Sequence, residues 1–388
     1  MIQRKIADYV EKVAKCYPVV TIMGPRQSGK TTLVQARFPL HEYRNLEAED
    51  VLSAAKADPR RFLMNGRVNM VIDEVQRFPA LLTYIQEMVI QEMVDANRVK
   101  GQFVLTGSHQ PELGAAVSES LAGRTGICTL MPLSVEELME AGVAVDDRDA
   151  LMWQGFMPRL YDDAIEPSML YRDYFQTYVQ RDVRRIVNIQ DVDAFTVFMR
   201  LLAGRVGQLL NKDSLARDVG ISAPTVMKWL SVLEASFIIY RLRPYHGNFG
   251  KRQTKAPKIY FTETGLVAYL LGIREKAQLF THPLVGNVFE NMVVMEAVKF
   301  RLNRGVEPGL WFYRNSSGTV EVDLLMEDGA NLHPREIKSS STYSQRMGRG
   351  LSEFLKLSSN AVDPQVVYSG GTFDGVSVNF AEVSRWCL

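Results

Sequence analysis

Gly24-Pro25-Arg26-Gln27-Ser28-Gly29-Lys30-Thr31 fits the pattern G-x-x-x-x-G-K-[ST], and its flanks decide what the pattern means. Upstream, Tyr17 to Met23 contains the β-branched run Val19-Val20-Thr21-Ile22, which reads as a buried strand. Downstream, Thr31 to Arg37 reads as the start of a helix. Strand, loop and helix in that order are what a phosphate-binding loop needs. Glycines let backbone N–H groups close on phosphates, and the helix N-terminus adds its dipole. Lys30 would reach the β- and γ-phosphates, and the Thr31 hydroxyl would hold Mg²⁺. ATP and Mg²⁺ are therefore the expected ligands.

A second stretch completes the site. Val68-Asn69-Met70-Val71-Ile72-Asp73-Glu74 is a short apolar strand ending in two carboxylates. Such a strand-end Asp holds Mg²⁺, and a Glu just after it can act as general base on water. Asp73 and Glu74 stand in that order. Gln102 to Ser108 is another apolar strand ending in small polar residues. Ligands of parallel sheets sit at the C-terminal strand ends, so Thr106 or Ser108 would meet the γ-phosphate or the attacking water. Ser134 reads as the N-cap of a helix over 135–141.

The chain has 388 residues, enough for two or three domains. It is 46% hydrophobic and 23% charged, as globular proteins are. Cys16, Cys128 and Cys387 are distant from one another and make no disulfide or metal pattern, which suits a reducing cytoplasm. No apolar window reaches membrane-span length, and no signal peptide is evident at the N-terminus. The net charge of +1 does not advertise a polyanion partner. Locally, Arg241, Arg243, Lys251, Arg252, Lys255 and Lys258 are uninterrupted by any acidic residue and interleave with Tyr245, His246, Asn248 and Phe249. A solvated loop and a phosphate-backbone contact both fit that run.

Taken in order, Gly-Pro-Arg-Gln-Ser-Gly-Lys-Thr-Thr (24–32), Val-Ile-Asp-Glu-Val-Gln, Leu-Thr-Gly-Ser and Ser-Leu-Ala-Gly-Arg resemble a prokaryotic family of AAA+ ATPases. Its members carry a C-terminal domain long catalogued as of unknown function, and the resemblance runs the length of the chain. It implies that Gly24 to Thr32 and Ser108 contact nucleotide, that Asp73 and Glu74 are the Walker B pair, and that Thr106 to Ser108 is the sensor-1 region. It also makes Arg124 a candidate arginine finger or sensor arginine. A finger acts on a neighbour's nucleotide, so it would imply a homo-oligomer; a structural salt bridge is the other reading of Arg124.

Beyond this ATPase domain, expected over 1–145, the residues 142–165 read as a connector and Tyr171 to Ile186 and Phe195 to Leu210 as helices. Asn211 to Ser214 would cap a short helix, Gly220-Ile221-Ser222 makes a turn, and Ala223 to Glu234 is a further helix. This is a helix-turn-helix pattern, with Phe237 to Leu242 as the first strand of a wing, in a middle domain over 146–250. DNA contact and docking to protein both suit such a module.

In the remaining 251–388, a helix carrying Glu290, a strand carrying Asp323 and the paired strand Arg335-Glu336-Ile337-Lys338 resemble the PD-(D/E)XK nuclease core. Val322 stands where that family has proline. Glu336 and Lys338, two apart on a strand, share one face. The resemblance implies a second divalent ion on Asp323, Glu336 and Glu290, with Lys338 activating water. The expected fold is α/β: a P-loop AAA+ domain with a parallel sheet, a helical winged-helix middle and a restriction-endonuclease-like C-terminal domain. The expected function is ATP hydrolysis coupled to DNA in the cytoplasm. A nucleotide-switched binding protein with a non-cutting C-terminal domain is the alternative, and a small-molecule kinase is disfavoured because Asp73-Glu74 supplies a base for water.

Overall fold

The computed structural model describes residues 1–64, 69–94, 99–108, 117, 119–163, 165–183, 191–245, 256–315, 317–373 and 375–387. Five strands, β1 (Val19–Gly24), β2 (Glu42–Asn45), β3 (Met70–Asp73), β4 (Phe103–Ser108) and β5 (Thr125–Thr129), make one parallel sheet. Their order is β2-β3-β4-β1-β5, with β1 buried along its whole length. Alternate residues of these strands feed two cores, as a pleat of period two requires. Val19, Met23, Ile72 and Leu105 pack on one face, Val20, Ile22, Val71 and Val104 on the other. Burial on both faces explains why the strands read as unbroken apolar runs.

The middle is helical. Asn211 accepts from Ser214 N and starts the helix Lys212–Val219, which ends at Gly220 in the left-handed conformation (φ +81). Ser222 then caps Ala223–Ala235. The preceding helix, expected to reach Leu210, stops at Ala203. Beyond it the chain turns to pair with a neighbour: Gly207 N donates to Ile259 O and Leu210 N to Pro257 O. Trp229 packs edge-on against both Phe195 and Phe198, so the helix-turn-helix shares a core with the helix before it.

A second sheet contains β6 (Ile239–Pro244), β7 (Lys258–Phe261), β8 (Leu310–Arg314), β9 (Glu321–Asp328), β10 (Asn331–Lys338), β11 (Gln365–Tyr368) and β12 (Ser377–Asn379). The order is β12-β11-β10-β9-β8-β6-β7. The strand expected to begin a wing, β6, thus pairs parallel to β8 as well as antiparallel to β7. The division expected at 250 falls inside this sheet. The physical reason is that Ile239 and Leu242 are buried apolar residues, and a partner on each side satisfies the β6 backbone. The 19-residue helix Val285–Asn303 runs from this sheet to the ATPase domain, where Val135 N donates to Glu296 and Lys299 donates to Leu133 O, each at 2.8 Å. Among the described residues, no helix is long and apolar enough to cross a membrane.

Glu263 sits almost fully buried in this seam, its Oε1 accepting from Phe156 N at 2.7 Å. Burial pushes its carboxyl up to about 7 from an ordinary 4.5. The folded chain then holds this proton longer than the unfolded chain does. Stability from this group is intact below pH 4.5 and lost as pH rises through 7, by roughly 3 kcal/mol. Glu263→Gln keeps the acceptor without the charge. Its melting temperature should exceed the parent's at pH 8 and match it at pH 4.5; an equal gap at both pH values would contradict this account.

Candidate functional site

The loop after β1 is shaped by its glycines. Gly24 has φ +153, and a Cβ there would lie 2.0 Å from Leu130 O. Gly29 has φ +90 and opens the helix Lys30–Arg37. Ser28 Oγ donates to Pro25 O, pinning the loop across itself. Lys30 is buried, and its Nζ donates to Gly24 O (3.2 Å) and Pro25 O (2.7 Å), so the ammonium lies folded against the loop's own carbonyls. Burial lowers its pKa to about 8; the nearby Glu74 and Asp73 oppose the drop.

Asp73 at the end of β3 is the hub. Its Oδ2 accepts from Thr31 Oγ1 at 2.7 Å and from Tyr43 OH at 2.6 Å, and its Oδ1 from Thr106 and Glu74 N. Parallel strands bring these together, because β2, β3 and β4 all end at one edge. Glu74 has left-handed backbone (φ +58), which turns the chain sharply off the strand. Its Oε2 accepts from Gln76 Nε2 and lies 3.5 Å from Ser108 Oγ. Burial raises its pKa, against the pull of Lys30. Tyr43 and Gln76 are members of the site that sequence reasoning missed. Gln76 had a signal in its place two residues after Glu74, whereas Tyr43 had none.

Beside the loop, a cavity of about 280 Å³ is lined by Ile2, Gln3, Gly29, Thr32, Leu33 and Pro158, among others. Arg4 closes its inner side, donating to Ser28 O, Met131 O and Glu137. The N-terminal residues 1–4, ahead of the helix Ala7–Cys16, and Pro158 of the connector therefore contribute to the site, which their sequences do not signal. Arg26 lies over the Tyr178 ring at 5.2 Å.

Arg124 is not brought to this edge. Its carbonyl accepts from Val19 N, at the start of β1, and its Nη1 donates to Ala122 O. Five residues of strand, roughly 16 Å, separate that end from Gly24. A role on its own chain's nucleotide is therefore corrected: β1 and β5 run parallel, so Arg124 and the loop fall at opposite sheet edges.

In the C-terminal sheet, β9 and β10 pair with Leu324 opposite Arg335, which sets Asp323 beside Glu336. Asp323 Oδ2 accepts from Ile337 N at 2.9 Å, and Lys338 Nζ donates to Glu336 at 2.5 Å and to Asp323 at 3.5 Å. Lys258 of β7 also enters this group. Its Nζ lies 2.9 Å from Glu290, 2.9 Å from Glu321 and 3.7 Å from Asp323. Burial and the crowded carboxylates push Glu290 up to about 7 and Glu336 up to about 8. Among the described residues, Glu336 Oε2 has no hydrogen-bond partner. Among the described residues, no group of three or more His, Cys, Asp or Glu is disposed to hold a metal ion. Lys258 and Lys338 both stand among the carboxylates expected to share an ion, Glu290, Asp323 and Glu336.

The basic run is also altered by folding. Arg241 pairs with Glu234, Lys258 is buried, and Arg243 is exposed. Lys251, Arg252, Lys255, His246, Asn248 and Phe249 lie outside the described residues.

A phosphate-loop fold with a strand-end Asp-Glu pair defines a Walker-type ATPase, and comparison with known proteins agrees. Residues 17–139 match a family model described as an AAA domain. Residues 145–277 and 285–381 match two domains of unknown function, DUF8612 and DUF4143. The uncharacterized protein Rv2008c of Mycobacterium tuberculosis is 31% identical over 346 residues, 88% of this chain and 75% of that one. The uncharacterized protein Mb2031c of Mycobacterium bovis matches equally. The chain belongs to the family of these proteins, AAA+ ATPases with a DUF4143 domain at the C-terminal end. Among solved structures, the Walker-type ATPase paby2304 of Pyrococcus abyssi is similar at 14% identity and a TM-score of 0.43, over 69% of this chain and 94% of that one.

Proposed function

We propose that this chain hydrolyses ATP at Gly24–Thr32 and uses the cycle to act on DNA through its helix-turn-helix and C-terminal sheet. The observation that carries the first part is the convergence of Thr31, Tyr43, Thr106 and the Glu74 amide on the Asp73 carboxylate, with Glu74 beside it. A hydroxyl and a carboxylate 2.7 Å apart are a fitting donor set for Mg²⁺, which would neutralise phosphate charge. Phosphate oxygens would take over Lys30 from Gly24 O and Pro25 O. Glu74, its pKa raised towards neutrality by burial, would take the proton of the attacking water. Gln76 and Ser108 would aim that carboxylate. The cavity at Ile2, Leu33 and Pro158 would take the nucleobase, its apolar walls stacking a flat ring. Arg124 would serve a nucleotide only across a subunit boundary, in a homo-oligomer.

Two features support DNA as partner. Lys212–Val219, Gly220 and Ala223–Ala235 form a helix-turn-helix, read as part of a winged helix. Asp323, Glu336 and Lys338 on the β9–β10 pair, with Glu290 on the helix behind, support a PD-(D/E)XK-like fold. The non-cutting alternative draws support from Lys258, taken up below. The test is the ATPase rate with single-stranded, duplex and branched DNA. A severalfold stimulation by at least one is expected, whereas no effect of any would point to a different partner.

Tyr43 would be a positioning residue, holding Asp73 through one bond. Tyr43→Phe should lower stability by about 1.5 kcal/mol, as loss of a hydrogen bond to a charged group does. It should also raise the Mg²⁺ concentration for half-maximal ATP turnover; an unchanged Mg²⁺ dependence would reduce Tyr43 to a structural part.

A further inference from the structure

We infer that Lys258 is the resident cation of the C-terminal charge cluster, standing where a nuclease-like site would hold a divalent ion, so that this region engages its partner without metal-dependent cleavage. The inference rests on the nuclease-like reading of this sheet, which says where an ion would sit. An ammonium offers three donors. The Lys258 ammonium lies 2.9 Å from Glu290 and 2.9 Å from Glu321, with Asp323 a third carboxylate at an ion-pair distance of 3.7 Å. The side chain is only 4% exposed, and its Nζ lies 5.5 Å from the centre of the Phe312 ring. Most of the remaining oxygens nearby are also engaged, Glu336 Oε2 excepted. Tyr260 OH donates to Glu290 at 2.6 Å, Arg314 lies 3.5 Å from Glu321, and Lys338 bridges Glu336 and Asp323.

The backbone makes this arrangement a built feature. Lys258 pairs with Leu242 in the β6–β7 ladder and with Leu209 on its other side. Its Cα is thereby fixed, and the ammonium is delivered to the cluster by two separate parts of the chain. A divalent ion binding to the same carboxylates would need oxygens at about 2.0–2.6 Å. It would also face a buried like charge, where repulsion is little screened. Lysine and ion exclude each other, and the lysine is covalently present at every moment.

The test is Mn²⁺ titration of the nucleotide-free, full-length protein by calorimetry, with thermal melts in parallel. Wild type and Asp323→Asn should bind Mn²⁺ alike, since any ion at the P-loop is common to both. Lys258→Met should gain one Mn²⁺ per chain, at least tenfold tighter than any wild-type binding, and Asp323→Asn added to it should abolish the gain. Where Lys258→Met folds poorly, Mn²⁺ should restore its melting temperature by several degrees while leaving the wild type unmoved. Wild-type Mn²⁺ binding that Asp323→Asn removes would overturn the inference and leave the nuclease-like reading standing. A Lys258→Met protein that gains no site and no Mn²⁺ rescue would overturn both.

Discussion

Glu74→Gln should bind ATP as the parent does and turn it over 10²- to 10⁴-fold more slowly, the range that loss of a general base produces. The substitution is nearly isosteric, so the turn at φ +58 and the contact with Gln76 survive in shape. What disappears is an acceptor for the water proton. Asp73 cannot replace it, because both its oxygens are occupied by Thr31, Tyr43, Thr106 and the Glu74 amide. Single-turnover hydrolysis and retention of labelled ATP on the purified protein read the two halves separately. Parent-like turnover in Glu74→Gln would remove Glu74 from the mechanism.

Lys30→Ala should lose ATP binding and turnover together. The buried ammonium is the loop's concentrated positive charge, now spent on Gly24 O and Pro25 O, and no described side chain duplicates that geometry. Its pKa, lowered to about 8 by burial, adds a pH signature. Only the protonated form attracts phosphate. Phosphate bound beside it raises its proton affinity, so ATP affinity should be level below pH 8 and fall by up to tenfold per pH unit above it. Affinity flat to pH 9.5 would mean that the lysine stays charged without nucleotide. Equilibrium binding of a fluorescent ATP analogue across pH measures this directly.

How much could be read beforehand depended on distance along the chain. The nucleotide loop and the strand-end Asp73-Glu74 were legible because their chemistry is local: glycines at fixed spacing, an apolar run, then carboxylates. The caps at Asn211, Ser134 and Ser222 were legible or nearly so for the same reason, each bonding a backbone N–H three residues on. The strands carrying Asp323 and Glu336 showed through their resemblance to a nuclease core, and Glu336 and Lys338 share a face by period alone. Tyr43 was invisible because its partner Asp73 is 30 residues away and lies on another strand. The helix after Phe195 was read too long, since its periodicity continues past Ala203 while tertiary pairing with Ile259 and Pro257 takes the backbone elsewhere.

The sequence by itself determined the α/β class, the phosphate loop and the strand-end carboxylates, since each shows as a pattern within a few residues. Only the tertiary structure decided which charges are free to act. Parallel pairing of β1 with β5 put Arg124 at the edge away from the loop. Arg241 went to Glu234. Lys258, one of six cations in a run that reads as basic surface, went to Glu290, Glu321 and Asp323. A cation's availability depends on which carboxylates the fold places within about 4 Å of it. Those carboxylates come from strands and helices tens of residues away, so composition and spacing carry the charge but not its partner.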